Sequence, residues 1–168
     1  MSKVLVLVAS VGKNVELGKT LAEVATEHGA DCETINIVDL DLPLYSSRAE
    51  ESGIPEAAVQ VAEKMCAARG LIVVAPEYNG SMPPTLNNLI AWVSRSGNED
   101  WRQAFNAKVT AIATFSGGGG ASALAAMRSQ FAYLGANVIG RQIESNFKKP
   151  ANLDSVAAIV RQLLELTS

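Results

Sequence analysis

The sequence predicts an α/β fold: a five-stranded parallel sheet of order 2-1-3-4-5, sandwiched between helices on both faces as the middle of three layers. Three observations predict it. Apolar runs such as Val4-Leu5-Val6-Leu7-Val8-Ala9 and Leu71-Ile72-Val73-Val74-Ala75 have strand length and no polar alternation, the pattern of strands buried on both faces. A segment with helical spacing follows each run. Gly or Pro marks most of the junctions.

The elements follow in order. Residues 3–9 form the first strand, and the polar turn Ser10-Val11-Gly12-Lys13-Asn14 leads into a helix over 15–28. Leu17, Leu21, Val24 and Ala25 share one face of that helix, and Gly29 ends it. Residues 32–38 are a less apolar strand, expected nearer an edge. Residues 39–53 read as a loop containing Pro43. Pro55 opens an amphipathic helix over 57–69, which Gly70 closes. The strand over 71–76 is the clearest, and Pro76 stops it. Residues 77–84 form a loop, and a helix over 85–95 turns Leu86, Leu89, Ile90 and Val93 inward. A polar connection over 97–105 carries Trp101. The fourth strand covers 108–115. Ser116 and four consecutive glycines precede a long helix over 121–134, which Gly135 stops. A short fifth strand over 137–141 and a closing helix over 153–166 complete five strand–helix pairs.

The 168 residues suit one domain with a sizeable core. Hydrophobic residues at 48% and charged residues at 18% place the chain among globular proteins. The formal net charge of -3 lacks the basic face that a nucleic acid or an acidic membrane would demand. No apolar run approaches the roughly 20 residues of a membrane span, and the Val-rich start reads as a strand, so the cytoplasm is the expected location. The two cysteines, Cys32 and Cys66, read as buried thiols in a reducing compartment. The single histidine, His28, falls at a helix end, where its ring suits the dipole. One histidine and two core-like cysteines leave no zinc site.

Ligands of such sheets bind beyond the carboxyl ends of the strands, near the point between strands one and three where the strand order reverses. The turns at that edge therefore carry the chemistry. Ser10 to Asn14 opens a helix whose backbone N–H groups suit a phosphate; Ser10 and Asn14 add side-chain donors and Lys13 a charge. An ordinary strand-to-helix turn reads equally well. Neither G-x-G-x-x-G nor the P-loop spacing is present, because Gly18-Lys19-Thr20 lacks the upstream Gly. Pro76-Glu77-Tyr78-Asn79-Gly80-Ser81-Met82-Pro83-Pro84 is a stiff turn with room for close backbone approach, suited to walling a flat ring. Ser116-Gly117-Gly118-Gly119-Gly120 holds more glycine than a tight turn requires, and such a segment lets backbone N–H groups face a ligand. A site for one phosphate beside two sites for a flat heterocycle matches a mononucleotide flavin.

The run Pro76 to Pro83, followed by Leu86, Asn88, Ile90, Trp92, Ser94 and Arg95, resembles the signature of the NADPH-dependent FMN reductase family, which includes quinone, azo-dye and chromate reductases. Leu42-Pro43-Leu44-Tyr45 resembles its loop after strand two, and Arg128 with Leu134-Gly135-Ala136 its fourth helix and the following turn. The resemblance covers about residues 3–140. It implies a flavodoxin-like fold, bound FMN, NADPH or NADH as electron donor, a small acceptor (flavin, quinone, azo compound or metal oxyanion), ping-pong exchange, and a homodimer or homotetramer. By position it implies that Ser10, Gly12, Lys13, Asn14 and Val15 hold the phosphate. Pro76, Glu77, Tyr78, Asn79, Gly80 and Ser81 would line the ring on one side, with Ser116, Gly117, Gly118 and Gly119 on the other. The chemistry is the flavin's, so no side chain is assigned as catalytic. Tyr78 is a stacking or a packing residue, Glu77 a site residue or a partner for a neighbouring subunit's Arg95, and Trp92 a packing residue. The first loop is shorter than the family's and closer to that of flavodoxins. An electron carrier of the flavodoxin kind, and a binding module that has lost FMN, are the alternatives.

Overall fold

The computed structural model describes residues 1–97 and 100–167. Its strands are β1 (Lys3–Val8), β2 (Asp31–Asn36), β3 (Gly70–Val74), β4 (Val109–Phe115) and β5 (Asn137–Ser145). Its helices are α1 (Lys13–Glu27), α2 (Ser47–Glu51), α3 (Glu56–Ala67), α4 (Pro84–Val93), α5 (Ala121–Tyr133) and α6 (Leu153–Thr167), with a 3-10 turn at Val38–Leu40. The sheet is parallel throughout, in the order β2-β1-β3-β4-β5.

The pleat of β1 divides the core. Leu5 and Leu7 face a cluster with Val61 and Met65 of α3, Leu86 and Leu89 of α4, and Leu124, Met127 and Phe131 of α5. Val4, Val6 and Val8 face the opposite cluster, with Leu17 and Leu21 of α1 and Val156, Ile159 and Leu163 of α6. The sheet is thus the middle of three layers. β1, β3 and β4 are buried almost throughout, while β2 is half polar and lies at an edge. One close approach seats α1: a Cβ added at Gly18 would lie 2.5 Å from Val8 Cγ2.

Several expectations are refined. The segment expected to be loop over 39–53 contains α2, capped where Ser46 Oγ accepts from Ala49 N at 3.1 Å. α1 begins two residues earlier than its apolar stripe suggests. β5 continues to Ser145, past a register shift opposite Thr110 and Ile112. The thiols of Cys32 and Cys66 are free but only half-buried, not fully enclosed. His28 does cap α1, with its ring Nδ1 2.8 Å from Val24 O. Of the expected polar connection over 97–105, residues 98 and 99 lie outside the described residues. Trp92 is fully buried, as its packing role requires. Among the described residues no helix is long and apolar enough to cross a membrane, and no cluster of side chains could hold a metal ion.

Candidate flavin-binding edge

The turns after β1, β3 and β4 meet at the carboxyl edge of the sheet because the three strands are adjacent and in register. Ala9 N donates to Val74 O at 2.9 Å and Ala75 N to Ala113 O at 3.1 Å, so the ladder carries each chain to its turn. Two side-chain ties then join the turns. Glu77 N donates to Ser116 Oγ at 2.7 Å. Asn14 clamps Phe115 from both sides, Phe115 N donating to Oδ1 at 2.7 Å and Nδ2 donating to Phe115 O at 2.8 Å.

At the first turn, Gly12 is the N-cap of α1, without a side-chain cap. The backbone N–H groups of Val11, Lys13 and Asn14 meet no protein acceptor among the described residues, and the space where a Gly12 Cβ would stand is open. A helix N-terminus of this kind receives an anion. The side chains behave differently from the sequence expectation. Asn14 is buried, and its Oδ1 and Nδ2 go to Phe115 instead of outward. Lys13 Nζ is paired with Glu16 Oε2 at 2.8 Å on the surface. Ser10 Oγ lies 3.4 Å from Gly12 N, and Val15 N closes the first turn onto Gly12 O at 2.8 Å.

The second turn is a tight hairpin. Tyr78 N donates to Ser81 O at 2.8 Å and Ser81 N to Tyr78 O at 3.0 Å. Asn79 (φ 51) and Gly80 (φ 75) occupy its two central positions, the type I′ arrangement that Asn-Gly favours. Their N–H groups have no protein acceptor among the described residues, and no neighbour fills the space at Gly80. Tyr78 is 53% exposed at the rim. Pro83 and Pro84 then start α4, with Pro84 at its first position. That helix holds the loop after β2: Trp92 Nε1 donates to Pro43 O at 2.7 Å, and Tyr45 N donates to Asn88 Oδ1 at 2.8 Å. The two sequence stretches that carry the family resemblance are therefore in contact.

At the third turn the glycines divide. Gly119 (φ 108) and Gly120 (φ 89) serve the fold, since a Cβ at Gly120 would stand 2.6 Å from Thr114 Cγ2. Gly117 and Gly118 are exposed, with open space where a side chain would be. Gly120 offers α5 no side-chain cap. Glu77 supplies one: its Oε2 accepts from Ser122 N at 3.2 Å and Ala123 N at 3.3 Å. A carboxylate thus sits on the positive end of α5, the role given to it neither by the ring-lining nor by the Arg95 reading.

The edge fits a mononucleotide. It has one uncapped helix end for a phosphate, free backbone donors on two facing turns, and a glycine cradle without side chains. Sequence reasoning missed the Asn14 clamp, the Glu77 cap and Thr114, whose Oγ1 lies 3.1 Å from Ser116 Oγ. Asn14 and Glu77 bond backbone groups 101 and 45–46 residues away, which no local pattern displays.

Fold and edge together define a flavodoxin-like flavoprotein. The chain belongs to the NADPH-dependent FMN reductase family, whose model matches residues 2–149. That makes it an oxidoreductase of the class that works with FMN and a reduced nicotinamide. It is 33% identical over 137 residues to a quinone reductase of Pseudomonas putida, a match covering 78% of this chain and 70% of that protein. It is 36% identical over 101 residues to a 2-hydroxy-1,4-benzoquinone reductase of Burkholderia sp, covering 59% of this chain and 54% of that one. Among solved structures, the flavoenzyme NAD(P)H:(acceptor) oxidoreductase FerB from Paracoccus denitrificans has the same fold: TM-score 0.72, 18% identity, 99% of this chain and 96% of that one. A flavodoxin from the domain Archaea superposes with TM-score 0.68 at 13% identity, covering 98% of both chains.

Proposed function

We propose that the chain passes electrons from NAD(P)H to a small acceptor by ping-pong exchange, the donor and acceptor occupying one open site in turn. The acceptor is a flavin, quinone, azo compound or metal oxyanion. The observation that carries this reading is the tying of three turns into one edge that leaves backbone donors free on each of them. Bound FMN would supply the hydride and electron chemistry. The chain's own part is binding and orientation. In the turn from Ser10 through Gly12 to Val15, the free backbone N–H groups of Val11, Lys13 and Asn14 hold the phosphate. Pro76 to Ser81 and Ser116 to Gly119 wall the ring, donating hydrogen bonds from Asn79, Gly80, Gly117 and Gly118 that cost no reorganisation because the turns are already set. No side chain need move a proton, in keeping with the lack of a histidine at this edge. The protein acts as a homodimer or homotetramer in the cytoplasm.

The test is twofold. Titration with FMN, followed by quenching of flavin fluorescence, should show stoichiometric binding. Initial rates of NADPH oxidation at several quinone concentrations should then give parallel double-reciprocal lines. Absence of FMN binding would end the reductase reading, and intersecting lines would replace ping-pong with a ternary complex.

A further inference from the structure

Two buried hydroxyls lie where β4 passes into the glycine turn. Thr114, near the end of β4, is fully buried, and Ser116, at the start of the turn, is 7% exposed. Their oxygens are 3.1 Å apart. β5 fixes the backbone around the pair: Ser145 Oγ donates to Thr114 O at 2.8 Å, and Ser116 N donates to Ser145 O at 3.0 Å.

The separation alone leaves the direction of the hydroxyl–hydroxyl bond open, and the surroundings decide it. Thr114 Oγ1 has no partner but Ser116 Oγ among the described residues. It is also shut in by the backbone of Gly120, where a Cβ would stand 2.9 Å from it. A buried donor that donates to nothing costs about 1–3 kcal/mol, so Thr114 donates and Ser116 accepts. Ser116 Oγ accepts a second bond from Glu77 N at 2.7 Å. Both lone pairs of the serine oxygen are then filled, and its own proton has no acceptor among the described residues. The proton left over belongs to the residue that borders Gly117 and Gly118, which are exposed with open space where side chains would be, and not to the one behind it.

Resting on the reductase reading, we infer that Ser116 donates this proton as a hydrogen bond to an acceptor atom of the flavin ring, and that Thr114 is the positioning residue that makes it do so. Thr114 stays behind the turn and acts through Ser116. By filling a lone pair it keeps the serine hydroxyl from turning inward, and each bond entering the serine oxygen strengthens the one leaving it. The ring's nitrogen and oxygen atoms gain negative charge on reduction, and a charged acceptor holds a donor about twice as strongly as a neutral one. The pair therefore favours reduced over oxidised FMN.

Redox titration of the FMN-loaded full chain tests this. The midpoint potential of bound against free FMN gives the ratio of affinities for the reduced and oxidised forms. Ser116→Ala should lower that ratio about tenfold. Thr114→Val, which keeps the shape and removes the donor, should lower it about two- to threefold, and Thr114→Ser should restore it. Adding Thr114→Val to Ser116→Ala should change nothing further, because the threonine acts only through the serine. A Thr114→Val protein with a lower Tm but the wild-type ratio would make Thr114 purely structural and overturn the inference, as would an extra shift in the double variant. If Thr114→Val does not fold, Ser116→Ala decides, and an unchanged ratio there overturns the inference. A wild type that binds no FMN would remove the reductase reading and this inference together. One that binds FMN and oxidises NADPH, with a ratio unmoved by every variant, would remove the inference alone.

Discussion

Replacing Asn14 with Ala should loosen the seam between the phosphate turn and β4, and the structure sets the size of the effect. The substitution removes two hydrogen bonds, of 2.7 and 2.8 Å, and strands both backbone groups of Phe115. An unsatisfied buried group costs about 1–3 kcal/mol. Phe115 is only half-buried at a strand end, so water reaches it in part and the lower half of that range applies to each group. The expected loss is about 2–4 kcal/mol, or a fall in Tm of roughly 4–16 °C for a domain of this size. Asn14→Asp separates stability from binding. It keeps an acceptor for Phe115 N, sets two oxygens against each other at Phe115 O, and adds a negative charge to the first turn of α1. That charge suits the helix dipole but opposes a bound phosphate, so FMN affinity should fall about tenfold or more. Urea unfolding without FMN, with equal slopes for each variant, and FMN titration of the folded proteins supply both readouts. If Asn14→Ala unfolds at the wild-type midpoint and binds FMN as tightly as wild type, the clamp has no energetic role and the account of the edge is wrong.

Other expectations concern residues at or behind the same edge. Glu77→Ala should destabilise the protein by about 1 kcal/mol through loss of the α5 cap, and Glu77→Gln by less, measured by thermal unfolding; identical Tm values for all three proteins would remove Glu77 from that role. Gly18→Ala should lower Tm by about 2–8 °C, since overpacking against the stiff, buried Val8 costs more than the gain in helix propensity returns. A variant as stable as wild type would show that α1 shifts freely. The carboxamide of Asn79 is tested by Asn79→Gly, which suits φ 51, whereas a larger side chain would add about 1–2 kcal/mol of backbone strain; FMN retention should fall with Tm little changed. Burial first, and Asp31 second, push the Cys32 thiol from 9.0 up to about 11. At pH 8 its alkylation by iodoacetamide should be about 100-fold slower folded than in urea, read by mass spectrometry. The folded state holds this proton more tightly, so the associated stability is complete below about pH 9 and drains away as pH rises toward 11.

The sheet was readable because β1, β3 and β4 are buried on both faces and so appear as unbroken apolar runs. β2 betrayed its edge position through Glu33 and Thr34. α2 was not readable: its five residues include none that is buried, so no periodicity marks it. The sequence pattern ends β5 at Arg141 because Gly140, Arg141 and Gln142 are all exposed, while Ile143 and Ser145 return to the interior. At the edge, the turns themselves were legible from composition and from the Pro76 to Pro83 run. The roles of Asn14 and Glu77 were not, for their partners lie 101 and 45–46 residues away. In the sequence Gly18 belongs only to an incomplete phosphate-loop spacing; its constraint in the fold is one valine methyl on a neighbouring strand.

The bond from Trp92 to Pro43 has a mechanical corollary. α4 starts immediately after the Asn79-Gly80 hairpin and grips the loop after β2 through Asn88 and Trp92, while Tyr45 meets the Trp92 ring edge-on at 5.2 Å. Hairpin, helix and loop thus form a single stiff jaw. Any molecule admitted between this jaw and the glycine turn would meet one wall already fixed by bonds among its three parts.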